Sequence, residues 1–358
     1  MLCGRNFDPG RSVVTDAGPG FKATPGRHLI VKELWSAGIL VGVTETVDRV
    51  IEVPGVLYHY TDAFGLQGIV APTSWPRDSP VDPKVYRSAV QLWASDARYM
   101  NDSMELVFGA EVFNERFARA RASAPKLADL FFALQGAFAG DSVFEWAYGL
   151  RCFAICLCTN GDLLSQWRGY AGGTGGFAIG FPAEIVSRAC AFHPQSTAMG
   201  TTPFPMNLRP VEYGRAAVED LANQFIRTIQ TDFEAGRLIA ASGGQRIEPS
   251  FVASRAFREL SVVKHEAFRE EQEWRLSASN EPQYPVRIRP RRAGLLPYLE
   301  TVLNMDTDNF SPVEQPIVDL VVGPGPDQAG QVAAAKELLK IRRFNPDVVR
   351  ASSAPFRG

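Results

Sequence analysis

Short apolar runs separated by helical stretches indicate a domain that mixes strands and helices. The first organised run is Val56–Thr61, which is rich in β-branched and aromatic residues and predicts a strand. Asp62 follows it, and is expected to be the N-cap of a helix over 63–70. Because strands and helices do not alternate regularly further on, the pattern predicts an α+β fold.

The same periodicity predicts the remaining elements. Further strands are expected at 91–95, 151–159, 177–181, 272–278, 284–289 and 317–322. Further helices are expected over 105–121, 127–139, 183–189, 216–241, 251–271 and 330–339. The proline-interrupted segment 190–211 is predicted to be a loop. We therefore expect two small, mostly antiparallel sheets around a cleft, with helices inserted near 105–140 and 216–270.

The chain divides into an extension and one folded domain. Residues 1–54 contain many Gly and Pro without clear periodicity, so we expect a partly disordered N-terminal extension, with a short helix and strand over 28–53. Residues 55–358 are predicted to form a single α+β domain. The N-terminus has no apolar core typical of a secretion signal, and no run is long enough to span a membrane. We expect a cytoplasmic protein without a membrane partner.

Composition excludes a strongly basic nucleic-acid binder. The chain has 358 residues, 46% of them hydrophobic, and a net charge of −2. Such a balance provides no overall positive field to concentrate nucleic acid. One local basic patch exists at 287–292, and such a patch is usually a solvated edge. Five cysteines, an odd number, fit a reducing compartment.

The stretch 151–181 has the composition of a binding cleft. Ser165, Gln166, Trp167, Arg168 and Tyr170 precede a glycine-rich bend at 172–176, between two predicted buried strands. Here Trp167 or Tyr170 would stack on a ring, and Arg168 would pair with phosphate. A tight loop between core strands is an equally good interpretation.

Two strand ends carry polar side chains suited to ligand contacts. On the first strand, alternation places His59 and Thr61 on one face, where they could hydrogen-bond a ribose or pyrophosphate. The alternative is a histidine satisfied by neighbouring backbone. At the end of the second strand, Ser95 is a candidate ligand contact, whereas Asn101 and Asp102 are better explained as helix caps.

A charged cluster lies where a late helix passes into a strand. In an extended segment Glu271, Glu273 and Arg275 share a face, while Trp274 and Leu276 are the buried alternates. A carboxylate in this position can stabilise an oxocarbenium-like ribose, and Arg275 could pair with phosphate. The alternative is a solvated charge run.

Several common sites are not predicted. Cys152, Cys156 and Cys158 share one strand face without a second Cys or His pair, so we expect buried thiols and no metal site. The segment 323–326 lacks the Lys and Ser/Thr of a phosphate-binding loop. The glycines at 172–176 lack a clear following helix with a distal acidic partner, which makes a Rossmann site a weak hypothesis.

Taken together, these segments resemble a bacterial family, the domain of unknown function 2971 family. The resemblance spans 56–357, and its ordered motifs are Leu57–Thr61, Leu92–Glu105, Cys152–Phe181, Glu271–Arg275, Gly323-Pro324 and Ser353–Phe356. That family name implies no activity.

The motif order also resembles ADP-ribosyltransferases. That resemblance implies NAD as the substrate and an ADP-ribosyltransferase-like fold, with catalytic Glu273, with Glu271 positioning an acceptor, and with His59 and Thr61 holding NAD. Ser95, or the Ser165–Tyr170 segment, would fill the middle role, although the compact Ser-Thr-Ser strand of such enzymes is missing here.

We therefore predict an ADP-ribosyltransferase or NAD glycohydrolase that acts as a toxin or phage-defence effector, with a protein or RNA acceptor and no metal. A non-catalytic module of a defence system, which senses a nucleotide or a protein in the same cleft, is the alternative. It would be favoured if Glu271 and Glu273 pointed away from His59. Phosphate-transfer or nuclease chemistry on RNA is a third hypothesis, disfavoured by the low charge.

Overall fold

The fold is known from a computed structural model. It describes residues 52–70, 90–100, 104–139, 151–170, 175–191, 204–238, 249–279, 286–291, 294–303 and 315–355. Most of the predicted N-terminal extension, the caps at Asn101 and Asp102 and most of the glycine bend at 172–176 lie outside these residues.

The strands of the structure coincide at least in part with each predicted apolar run and include further strands that were not predicted. They are β1 (Val56–Thr61), β2 (Gln91–Asp96), β3 (Cys152–Cys158), β4 (Phe177–Pro182), β5 (Cys190–Ala191), β6 (Phe204–Pro205), β7 (Asn207–Pro210), β8 (Glu212–Tyr213), β9 (Val263–Lys264), β10 (Glu273–Ser279), β11 (Arg287–Arg291), β12 (Gly294–Val302), β13 (Asp319–Val322) and β14 (Val349–Ala351).

The helices lie mainly in two groups. They are α1 (Ala63–Val70), α2 (Met104–Ser123), α3 (Ala128–Ala137), α4 (Leu164–Tyr170), α5 (Ala183–Ser187), α6 (Gly214–Glu234), α7 (Pro249–Leu260) and α8 (Gln328–Ile341). The expected cap of α1 is confirmed, because the Gly65 amide donates to Asp62 Oδ1 at 2.7 Å.

A mixed α+β architecture with a mostly antiparallel sheet is confirmed, but the two small sheets are not. In the described part of the chain, twelve strands form one sheet in the order β14-β13-β4-β1-β3-β2-β12-β5-β6, with β10, β7 and β11 attached beside this path. Strands β8 and β9 form a separate parallel pair.

The large sheet forks at β3, and this fork positions the site. One edge of β3 pairs along its full length with β10. The other edge is shared: β1 pairs with it only at Tyr58 and Cys158, and β2 pairs with it at Ser95 and Ala154. The backbone around Cys156 therefore faces the gap between β1 and β2, where the two strands diverge.

The two faces of the sheet differ in chemistry. One face carries the larger apolar core, which includes Leu57, Ile155 and Leu276 together with side chains of α1 and α8. A second apolar cluster lies among α2, α3, α6 and α7. The opposite face of the central strands is rich in Cys, Ser, Glu and Arg, as cross-strand register and alternation require.

Three local predictions are corrected by the structure. The segment 190–211 is not only a loop, because it contains β5, β6 and β7. The helix expected over 251–271 ends at Leu260 and gives way to β9 and a 3-10 turn over Glu266–Glu271, because Lys264 and its neighbours pair with β8. Strand β12 was not predicted, although it joins β2 to β11.

Among the residues that the structure describes, no helix combines the length and the apolar character needed to cross a membrane.

Candidate functional site

A small polar pocket lies at the fork of the sheet, beneath α4. Its empty volume is about 310 Å³, part of which is open to solvent. The lining combines strand residues with the helix and the turn before β10, and consists of Tyr58, His59, Tyr60, Cys156, Leu157, Cys158, Gln166, Tyr170, Glu271 and Glu273. Four predicted site residues, from three separate segments of the chain, therefore meet in one pocket: His59, Tyr170, Glu271 and Glu273.

The His59 ring occupies the gap between β1 and β2. Its Nδ1 lies 2.9 Å from the Cys156 carbonyl oxygen, which has no strand partner on that edge. A carbonyl only accepts, so Nδ1 must carry the proton. Burial lowers the pKa of His59, and the nearby charge of Arg289 lowers it further. The neutral ring therefore leaves Nε2 as an acceptor. His59 thus has the backbone partner expected of a buried histidine and also lines the pocket.

The Glu273 carboxylate is buried in a charged network. Arg275 donates to it twice, with distances of 2.7 Å and 3.2 Å, and Lys264 Nζ lies 2.8 Å away. Burial alone would raise the pKa of Glu273, but the charges of Arg275 and Lys264 outweigh it and lower the pKa to about 2. The lowered pKa keeps Glu273 ionised at neutral pH, and because it is only 5% exposed it is not part of a solvated charge run.

Glu271 is the more accessible carboxylate. Lys264 Nζ lies 2.6 Å from it and bridges it to Glu273, and the Glu271 side chain is 20% exposed. Gln272, between the two acids, adopts a left-handed conformation with φ of 44°. This kink, which ends the 3-10 turn, brings Glu271 and Glu273 to the same lysine, although only Glu273 belongs to the strand.

Two further groups complete the pocket wall. The Cys156 thiol hydrogen-bonds Glu273, and burial raises its pKa well above the ordinary value, so it is a protonated donor. Tyr170 is 39% exposed over the whole residue, whereas its hydroxyl lies inside the pocket. Burial of that hydroxyl, with Cys156 and Glu273 nearby, raises the pKa of Tyr170.

Four other predicted site residues lie elsewhere. Trp167 is 3% exposed, donates from Nε1 to Asp162 at 2.8 Å and packs edge-on against Tyr60, so its ring has no free face for stacking. Arg168 projects from the exposed side of α4. Thr61 packs against the first turn of α1. Ser95 lies on the polar sheet face, outside the pocket lining.

Arg275 lies outside the pocket lining and contacts the pocket residue Glu273. It is 2% exposed, and Nη1 donates to the Ser261 carbonyl at 2.8 Å. The Arg275 guanidinium, which was predicted to pair with phosphate, is therefore already paired with the Glu273 carboxylate.

Sequence reasoning missed Lys264, the residue that joins the two acids. It lies on the two-residue strand β9, inside a stretch whose periodicity predicts a helix, and no local signal marks it. Tyr213, from the paired strand β8, was also missed, although its hydroxyl accepts from the Glu273 amide at 2.7 Å. Both depend on the pairing of β8 with β9, which joins segments about fifty residues apart.

An arginine lies between two aromatic rings beside the pocket. The Arg289 guanidinium is 5.0 Å from the Trp93 ring centroid and 5.7 Å from that of Tyr298. Its Nη2 donates to Ser95 Oγ at 3.1 Å. Ser95 lies opposite Ala154, two residues before Cys156 on the same face of β3, so this cluster adjoins the pocket.

The fold and site define an α+β protein with a charged pocket at a forked, mostly antiparallel sheet. Residues 166–276 match the family described as "Protein of unknown function (DUF2971)", which supports the family predicted from the motifs. The matched region holds Tyr170, Lys264, Glu271 and Glu273, but ends before Arg289 and begins after His59. No curated protein matches the chain. No solved structure matches it either.

Proposed function

We propose that this protein cleaves the nicotinamide–ribose bond of NAD, as an ADP-ribosyltransferase or NAD glycohydrolase, acting in the cytoplasm as a toxin or phage-defence effector. One observation carries the proposal: His59, Tyr170, Glu271 and Glu273 line a single pocket, although more than two hundred residues separate the first from the last. An arrangement with both acids directed away from His59 would instead have favoured a sensor.

The pocket is small and partly open to solvent, so only one end of a ligand as long as NAD would enter it. In the proposal, the nicotinamide and its ribose occupy the pocket, and the rest of the dinucleotide extends along the sheet face. The half-exposed Tyr170 ring is the surface for nicotinamide stacking, because Trp167 is buried.

The charges suit the bond that breaks. The electron pair of the C1′–N bond goes to the nicotinamide nitrogen, which leaves as a neutral molecule, and the ribose becomes oxocarbenium-like. In this scheme the negative charges of Glu271 and Glu273, which both line the pocket, stabilise that ribose. Water or an acceptor hydroxyl, from a protein or RNA, then bonds to C1′ and releases its proton. Glu271, the more exposed acid, is suited to accept it.

His59 has a binding role in this scheme. Its neutral ring with a protonated Nδ1 leaves Nε2 to accept from a ribose hydroxyl. No metal is needed, since the leaving group is already a cationic pyridinium.

The test is the release of nicotinamide from NAD by the purified protein. We expect Glu271→Gln and Glu273→Gln each to lower the rate by about 100-fold or more while NAD binding is largely kept. Glu270→Gln is the matched control, because Glu270 is the exposed neighbour outside the pocket lining and loses the same charge. Release that is equal in all variants, or absent from the wild type with every acceptor supplied, would overturn the proposal.

A sensor that binds a nucleotide or a protein in the same pocket is the second candidate. It is favoured by one observation: the negative charge of Glu273 is already balanced by Lys264 and Arg275, which suits a static binding site. Calorimetric binding of NAD without nicotinamide release, under all acceptor conditions, would support this alternative.

A further inference from the structure

We propose that Arg289, Trp93 and Ser95 form an anion-binding subsite that holds a phosphate group of the ligand. The need for an anion follows from unpaired donors in the cluster. The choice of a phosphorylated ligand, and of pyrophosphate as the probe, rests on the proposed function.

The first step is that Arg289 lacks a counter-ion. Within the described residues, its hydrogen-bond partner is the neutral hydroxyl of Ser95, and it forms no ion pair. Its neighbour Arg287, by contrast, pairs with Glu300 at 3.2 Å. Burial lowers the pKa of Arg289, and Tyr298 and Asp62 partly offset this effect. A desolvated cation without a carboxylate is costly, and a bound anion would remove that cost.

The second step is that two buried polar atoms of the cluster are hydrogen-bond donors without an acceptor. Among the residues described, Trp93 Nε1 and Arg289 Nε are both buried and make no hydrogen bond. Buried polar atoms are nearly always paired, which favours a partner for these two atoms that the described residues do not supply. Because an indole N–H and a guanidinium can only donate, the missing partner is an acceptor.

The third step concerns shape. The Trp93 and Tyr298 rings hold the guanidinium between them, at 5.0 Å and 5.7 Å from its centre, and restrict its orientation. A planar guanidinium held in this way is suited to two-point recognition of phosphate or carboxylate oxygens. A lysine at this position would provide neither the stacking nor the fork.

The fourth step connects the subsite with the pocket. Ser95, which accepts a hydrogen bond from Arg289, lies opposite Ala154 on β3, two residues before the pocket residue Cys156, so the subsite and the pocket are close enough to share one ligand. A ligand with its ring and ribose between Tyr170 and Glu271 would continue past His59 towards Arg289. The basic strand β11, which looked like a solvated edge in the sequence, supplies this inward-facing cation.

The experiment is isothermal titration calorimetry of the full chain with pyrophosphate, at low and at high salt. We expect Arg289→Gln to weaken binding by about tenfold or more, the loss typical of a hydrogen bond to a charged group. The control Arg188→Gln removes the same charge from an exposed site at the C-terminal end of α5 and should bind as the wild type does. Trp93→Phe keeps a ring but removes the Nε1 donor, and should also weaken binding.

Thermal unfolding without ligand separates a binding role from a structural one. Removing an unbalanced cation should leave the Tm of Arg289→Gln equal to or above that of the wild type. A clear fall in Tm would show instead that Arg289 serves the packing of Trp93 and Tyr298, and would overturn the inference. So would equal binding by Arg289→Gln and wild type, an equal loss in Arg188→Gln, or no binding of pyrophosphate at millimolar concentration.

The titration contains no NAD and measures no nicotinamide. The anion subsite can therefore fail while NAD cleavage stands, and NAD cleavage can fail while pyrophosphate still binds.

Discussion

Arg275 and Glu273 lie two residues apart on β10 and form a buried ion pair, in which Arg275 Nε is 2.7 Å from Oε1 of the carboxylate. Both side chains belong to the same face of the strand, as alternation requires. The pair holds the ionised Glu273 at the floor of the pocket, and Lys264 forms ion pairs with both Glu273 and Glu271.

Breaking this pair should destabilise the protein strongly. We expect Arg275→Met to lower the free energy of unfolding by about 3 kcal/mol, because it leaves Glu273 buried with Lys264 as its remaining cation. Urea denaturation measures this change. The control is Arg188→Met, which removes a 66%-exposed partner of Glu184 and should have an effect close to zero. Equal midpoints for both variants would contradict the importance of the buried network.

Acid should weaken the fold through Glu273. Its pKa in the folded protein is lowered from 4.5 to about 2, so the unfolded chain binds the proton first as the pH falls. The contribution to stability is complete above pH 4.5 and is lost progressively towards pH 2. Unfolding measured by urea across this range should show the loss, and Glu273→Gln should show a shallower slope. Parallel slopes would assign the acid sensitivity to other groups.

His59 should remain neutral below its ordinary pKa. Because burial lowers its pKa below 6.5, the unfolded chain takes up a proton there before the folded protein does, and stability should fall as the pH drops below 6.5. Nitrogen NMR of the ring at pH 6.5 should find Nδ1 protonated and Nε2 bare. A charged His59 at that pH would remove the tautomer on which its proposed role depends.

His59→Ala should also lower the free energy of unfolding by about 1–3 kcal/mol, because it leaves the Cys156 carbonyl unpaired.

Asp162 should anchor the last strand to the helix above the pocket. Its carboxylate accepts from Trp167 Nε1 at 2.8 Å, from the Ser353 amide at 2.7 Å and from the hydroxyls of Ser352 and Ser353. Asp162→Ala would leave these donors without their acceptor, so we expect faster trypsin cleavage after Arg350. We also expect a loss of about 1–3 kcal/mol in stability.

Asp220→Ala, at an exposed position of α6, is the control for that variant. Cleavage at the same rate in both variants would show that Asp162 does not hold the C-terminal segment.

Local sequence signals predicted much of the fold. The β-branched and aromatic run at Val56–Thr61, the cap at Asp62 and the alternation around Trp274 each depend on neighbours in the chain, and the structure agrees with all three. Strand β12 was missed because Pro297 and a weak alternation hide a strand that is defined by its pairing with β2. The helical prediction at 251–271 extended too far for a similar reason, since β9 depends on β8.

The sequence by itself determined which residue types are available for chemistry: the acids at 271 and 273, the histidine at 59 and the polar-aromatic segment before the glycine bend. The tertiary structure decided which of them meet. It buried Trp167, paired Glu273 with Lys264, seated His59 in the fork of the sheet and enclosed Arg289 between two rings. The physical reason is that burial and electrostatic pairing depend on distances in space, whereas residue patterns report only local periodicity.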